Sequence, residues 1–96
     1  VCELPADDPG HVYHVYVVRT PERDRIREHL AAAGIASSTY YETPLHRQPA
    51  YEAANRGTSL PASEAAAKAV LSLPIHPLLD DAAVDRICAR VEAALA

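Results

Sequence analysis

The chain has 96 residues, a length that allows one domain with a modest core. Nine Lys and Arg side chains against thirteen Asp and Glu leave a formal net charge of −4, which argues against nucleic acids and anionic membranes as partners. No apolar run approaches the ~18 residues of a membrane span, and the two cysteines stand at opposite ends of the chain, so we expect a cytoplasmic globular domain without a disulfide framework.

The first half of the chain predicts a linker, a strand, a helix and a second strand. Residues 1–10, rich in proline and acidic side chains, are typical of a linker that enters the domain. The β-branched and aromatic run 11–19 predicts a strand that is apolar on both faces, as central strands are. Residues 20–33 predict a helix that starts at a Thr-Pro pair and ends before Gly34. Residues 35–41 predict the second strand.

The second half predicts three helices around one more strand. Residues 42–49 form a proline-braced loop, 50–56 a short helix, 61–71 an Ala-rich helix and 71–75 a short buried strand. Asp80 is placed to cap the last helix. The apolar residues of that helix recur at helical spacing and form one stripe, which comprises Val84, Ile87, Cys88, Val91 and Leu95. This order predicts a two-layer α/β (α+β) domain with about three strands covered by helices, mainly on one face.

Metal and nucleophilic chemistry find little support in the residue pattern. His11 and His14 stand three apart on a predicted strand and therefore point to opposite faces, so they cannot hold one ion together. Cys88 lies on the apolar stripe and is expected to be a small core residue. Lys68, the one lysine, is expected on the surface of the Ala-rich helix. We therefore predict no metal site and no catalytic residue in this chain.

The loop that follows the second predicted strand is the strongest candidate for a binding site. It places two phenols, Tyr40 and Tyr41, at the strand end and the imidazole of His46 between two prolines. Stiff loops on rigid scaffolds commonly carry binding groups, and this set suits hydroxyl-rich ligands. The alternative is that Tyr41 packs in the core while His46 makes a local hydrogen bond to a backbone carbonyl.

Three stretches of the chain resemble the C-terminal part of the sugar aminotransferases of the DegT/DnrJ/StrS type, which depend on pyridoxal 5'-phosphate (PLP). The loop motif is the most specific of them, and the resemblance runs from about residue 11 to the end. The stretches are His11–Arg19 running into Asp24 and Gly34-Ile35, then Tyr41 with Thr43–His46 and Gln48–Tyr51, and finally Leu71–Pro77 with Asp80 and Val84–Ile87.

The resemblance implies that residues 11–96 are the small C-terminal domain of a fold-type-I PLP transferase. In this family an amino group passes, usually from glutamate, to a keto group on a nucleotide-linked deoxysugar, in active sites at the interface of a homodimer. The N-terminal large domain holds PLP and the lysine that binds it, so no cofactor-binding residue is expected here. By the resemblance Tyr40, Tyr41 and His46 contact the substrate, while His14 and Arg19 pack the small domain on the large one.

The chain departs from the family pattern at three positions of the loop. Tyr40 stands where many relatives have His, Glu42 replaces a frequent Pro, and Arg47 replaces a frequent Leu. These changes bear on which sugar is bound, because a histidine, which would titrate near neutral pH, is lost and Glu42 brings a negative charge towards a phosphate-bearing substrate.

Two alternatives from other functional classes stay open. The chain begins at Val1 and contains no methionine, so we expect a piece of a longer protein. By the resemblance this piece is inactive alone, because the lysine that binds PLP is missing from it. It could instead be a free-standing binding or regulatory module that retains the fold. It could also be a dimerisation module, which would expose the second apolar face of the strand at Tyr13, Val15 and Val17.

Overall fold

The computed structural model describes all residues, 1–96, as four helices and a two-stranded sheet. Strand β1 spans Tyr16–Arg19 and strand β2 spans Val70–Leu73. The helices are α1 (Arg23–Ala32), α2 (Pro49–Glu52), α3 (Pro61–Ala69) and α4 (Asp81–Leu95), and single 3-10 turns cover Leu45–Arg47 and Ala53–Asn55. None of the helices combines the length and the apolar character that a membrane crossing requires.

The sheet is antiparallel, with Tyr16 opposite Leu73 and Val18 opposite Leu71. Side chains alternate between the two faces of a strand, so Val18 and Leu71 share the face that packs against α1 and α4. A sheet face covered by helices confirms the predicted two-layer α/β class. The buried apolar core comprises Val18, Ile26, Leu30, Ile35, Leu71, Ile87 and Ala94.

The first strand is shorter than the sequence predicts. Residues 11–15 do not pair, because Tyr13 adopts a left-handed backbone conformation with φ of 49°. The backbone N–H of Tyr13 donates to Nδ1 of His11 at 2.8 Å, and the two rings stack with centroids 3.9 Å apart. A left-handed residue cannot continue an extended ladder, so pairing begins at Tyr16.

The second predicted strand, 35–41, makes only one bridge to the sheet. Ser38 exchanges two backbone hydrogen bonds with Ser72, of 2.7 and 3.1 Å, on the edge of β2 opposite to β1. A further bridge joins Glu3 to Arg19 on the outer edge of β1. Four extended segments therefore lie side by side, although two of them pair at one residue each.

The last helix is positioned as predicted but its stripe is not wholly buried. Ile87 lies in the core, whereas Val84 and Cys88 are exposed, so the expectation that Cys88 is a core residue is wrong. The whole stripe lines an apolar groove of about 480 Å³, the α4 groove, which also receives Leu4 and Ile75. The helix pattern identifies the apolar face, but it cannot tell whether this chain supplies enough partners to cover that face.

Candidate functional site

The candidate site lies on the segment from Thr39 to Gln48, here called the tyrosine loop. It leaves the sheet just after the Ser38 bridge and ends where α2 begins. Tyr40 is 50% exposed and Tyr41 is 72% exposed, so the alternative in which Tyr41 packs in the core is wrong. The two rings meet edge to face with centroids 5.4 Å apart, and the peptide bond between these residues is cis.

Both tyrosines line an open groove of about 720 Å³, here called the tyrosine groove. The two residues of the Ser38–Ser72 bridge line the same groove. The Oγ atom of Ser72 is buried and has no hydrogen-bond partner. The polar residues that line the groove are His14, Ser37, Ser38, Tyr40, Tyr41 and Ser72, and none of its lining residues is acidic, Lys or Arg. Aromatic faces beside hydroxyl groups suit a flat or polyhydroxylated ligand.

His46 does not line this groove. It is only 6% exposed and faces α3, where its Nε2 lies 3.1 Å from Oε1 of Glu64. An ionised carboxylate can only accept, so the imidazole donates this bond. A second donor, Nη2 of Arg47, lies 3.4 Å from the same oxygen and donates to the Thr58 carbonyl at 2.8 Å. A direct contact between His46 and a substrate therefore stays a prediction.

The contacts of Glu64 perturb its acidity. The hydrogen bond from His46 is the main reason that the pKa of the Glu64 carboxyl is lowered, with a further contribution from Arg47. Hydrogen bonds and positive charge favour the ionised form of a carboxyl group. Glu64 is thus a negatively charged anchor that joins the end of the tyrosine loop to α3.

Two arginines of α1 that the sequence analysis did not single out also hold the loop. Arg23 is buried, and its Nη1 donates to Oγ1 of Thr39 at 3.3 Å. Arg27 forms an ion pair with Glu42. Glu42, one of the residues at which the loop departs from the family pattern, is therefore paired within the chain. The sequence of a helix does not show which distant residue an arginine will contact. The partner becomes apparent only when the fold brings the loop beside the helix.

The polar groups of this chain do not fit PLP. The cofactor needs an amine that forms an imine and an acid opposite its ring nitrogen. Lys68, the one lysine, is exposed and lines a different cavity with Glu3 and Arg19, not the tyrosine groove. No cluster of three His, Cys, Asp or Glu residues is arranged to hold a metal ion.

Comparison with known proteins links the chain to nucleotide-sugar aminotransferases. The model of the DegT/DnrJ/EryC1/StrS aminotransferase family matches residues 1–92. A dTDP-3-amino-3,4,6-trideoxy-alpha-D-glucose transaminase of Streptomyces venezuelae is 49% identical over 79 residues, which are 80% of this chain and 21% of that protein. A UDP-2-acetamido-2-deoxy-3-oxo-D-glucuronate aminotransferase of Pseudomonas aeruginosa is 42% identical over 78 residues, 81% of this chain and 21% of the relative.

Solved structures show the same fold. DesV of S. venezuelae, in complex with a ketimine intermediate, superimposes with a TM-score of 0.85 at 42% identity, over 97% of this chain and 26% of DesV. A DegT/DnrJ/EryC1/StrS aminotransferase of Brucella abortus gives a TM-score of 0.84 at 33% identity, with coverage of 97% and 26%.

The chain therefore spans about a fifth to a quarter of the relatives it matches. The family match nevertheless runs through nearly all of its own residues, and the fold agrees with that of family members over the same range. The resemblance inferred from the loop and strand motifs is confirmed, and the chain belongs to the DegT/DnrJ/EryC1/StrS aminotransferase family.

Proposed function

We propose that this chain is the C-terminal small domain of a PLP-dependent aminotransferase that acts on a nucleotide-linked keto sugar. Residues 11–96 form the domain in this proposal, and residues 1–10 lead into it from an N-terminal large domain. Glutamate is the expected amino donor, and the complete enzyme is expected to be a homodimer. The proposal is supported by the names of the relatives, which are nucleotide-sugar transaminases.

The roles of the two domains in this proposal follow from the chemical groups that this chain has and those that it lacks. PLP, held by the large domain, supplies the electron sink for amino transfer when it is bound. This chain contributes a wall of the substrate pocket, because its candidate site offers aromatic faces and hydroxyl groups but no imine-forming amine. Tyr40 and Tyr41 would pack against the substrate and exclude water from it. His46, held against Glu64, would act by fixing the loop that carries them.

One observation carries this proposal above all others. Tyr40 and Tyr41 are large aromatic side chains that remain exposed and line one groove together with three serines. Exposed aromatic residues on a braced loop have no role in the core of this chain, and they are the residue types that dominate the energetics of binding sites. The groove is open, so a second domain would complete a pocket over it.

The test replaces Tyr41 by alanine in the enzyme that contains this chain. Loss of an aromatic contact of roughly 0.5–1.5 kcal/mol should raise KM for the nucleotide sugar about two- to tenfold. KM for the amino donor should stay unchanged. The matched control is Tyr51→Ala, since Tyr51 is also an exposed tyrosine but lies on α2 outside the groove. Equal KM values for the Tyr41→Ala and wild-type enzymes would contradict the proposed role of the loop.

A further inference from the structure

The Tyr40-Tyr41 pair is held at both of its ends by one helix. The residue before the pair, Thr39, accepts a hydrogen bond from Arg23, and the residue after it, Glu42, pairs with Arg27. The two arginines stand four residues apart on α1 and therefore lie one above the other on the same face of the helix. A single helix face thus contacts the chain immediately before and immediately after the tyrosines.

Asp24 joins the two arginines. Its Oδ1 accepts from Nε of Arg23 at 2.7 Å and forms an ion pair with Arg27, whose Nη2 lies 3.1 Å away. The planar guanidinium group presents several donors in a fixed arrangement, so each arginine can bind Asp24 and the loop at the same time. The three side chains form one connected network along the first turns of α1.

Arg23 anchors this network in the interior. Its side chain is only 8% exposed, and Nη1 also donates to the carbonyl oxygens of Ala67 and Val70, both at 3.2 Å. These carbonyls belong to the end of α3 and the start of β2. The position of the Arg23 guanidinium is therefore fixed by the core, whereas Arg27 and Glu42 are partly exposed.

We propose that Arg23 and Arg27 are positioning residues that set where Tyr40 and Tyr41 stand beside the tyrosine groove. Placement of the rings is a property of this chain alone. What that placement does for a substrate rests on the proposed function. The unusual glutamate at position 42 then has a defined role, because it supplies the carboxylate that Arg27 holds.

The test uses Arg27→Gln and Glu42→Gln, because Arg27 and Glu42 are partly exposed and should tolerate substitution. Arg23→Lys would leave several buried acceptors without donors and could prevent folding. The matched control is Arg25→Gln, on the same helix, where Arg25 pairs with Glu22 and the Ala96 carbonyl but not with the loop. The protein is labelled with fluorotyrosine, and the ¹⁹F NMR signals of Tyr40 and Tyr41 are assigned with single Tyr→Phe variants.

Arg27→Gln and Glu42→Gln should each move the signals of both tyrosines, since either change removes the Arg27–Glu42 ion pair. The double variant should match Arg27→Gln, because Glu42 has no further ion pair to lose, whereas Arg27→Gln also removes the contact with Asp24. Arg25→Gln should leave the signals in place. Unmoved signals in Arg27→Gln, or equal movement in Arg25→Gln, would overturn the inference.

In the complete enzyme KM for the nucleotide sugar should rise about two- to fivefold in Arg27→Gln. Moved signals with an unchanged KM would support the positioning role and contradict the proposed function.

Discussion

Glu64 shows how one side chain fixes the far end of the tyrosine loop. One of its carboxylate oxygens receives both His46 and Arg47, and the imidazole is almost completely buried against it. Burial of a polar ring without a partner would be costly, so this hydrogen bond permits His46 to pack beneath the loop. Removal of the carboxylate should therefore loosen the loop and the start of α3 together.

A fall in pH should weaken the contact between Glu64 and His46. The pKa of Glu64 is lowered from 4.5, chiefly by the hydrogen bond from His46, so the folded state favours the ionised carboxylate. The resulting stabilisation is present above about pH 4.5 and is lost as the pH falls through the lowered folded pKa. Urea midpoints measured across this range should fall with acid in the wild type and fall less steeply in Glu64→Gln. The matched control Glu52→Gln, on α2, should retain the wild-type slope, and identical slopes for all three proteins would contradict the account.

The sequence singled out Tyr40 and Tyr41 as candidate contacts but did not identify the groups that hold their loop. Tyr40 and Tyr41 stand out because they are two adjacent phenols at the start of a proline-braced loop, and the family motif covers the same loop. Arg23 and Arg27 are typical of any surface helix, and their partners Thr39 and Glu42 lie far along the chain. Only the packed fold brings these groups within hydrogen-bond distance.

At the scale of elements, helix starts were easier to predict than strand limits. Asp80 was expected to cap α4, and its Oδ1 accepts the backbone N–H of Ala83 at 2.8 Å, which confirms the expectation. Thr20 was expected to cap α1, and its hydroxyl accepts the backbone N–H of Glu22 as an N-cap does, although the regular helix begins only at Arg23. A cap depends on residues within one turn, whereas the length of a strand depends on distant partners and on the conformation of single residues such as Tyr13.

The cap of α4 should contribute measurably to stability. Asp80→Ala removes the side-chain acceptor and should lower the free energy of unfolding by about 0.5–2 kcal/mol. Thermal or urea denaturation of the 96-residue chain measures this change. Asp81→Ala is the matched control, because Asp81 lies in the first turn but does not act as the cap. A loss as large in Asp81→Ala as in Asp80→Ala would show that charge near the helix end, and not the cap, is responsible.

For the whole molecule, the two-layer fold was predictable because the apolar periodicities of α1 and α4 each identify one covered face. The apolar surfaces that remain open could not be predicted in the same way. The dimerisation alternative places exposed apolar surface at Tyr13, Val15 and Val17, which are half-buried, whereas the α4 stripe borders an open groove. Periodicity identifies the apolar side of an element. Whether other residues cover that side depends on how the elements pack, which the periodicity does not show.

The proposed division between two domains also predicts how the isolated chain behaves with PLP. The proposal places the PLP lysine in the large domain, so the 96-residue chain incubated with PLP should show no protein-bound chromophore after dialysis. Lys68→Ala serves as the matched variant and should behave identically. A stable chromophore that disappears in Lys68→Ala would mean that this chain carries its own PLP site, and the proposed division between domains would be wrong.

The most direct test is a crystal structure of the complete enzyme with a bound nucleotide sugar. The account predicts that the rings of Tyr40 and Tyr41 lie within about 4 Å of ligand atoms, at van der Waals contact. A ligand bound elsewhere, with both tyrosine rings in solvent or against protein alone, would contradict the claim that this loop forms a wall of the substrate pocket.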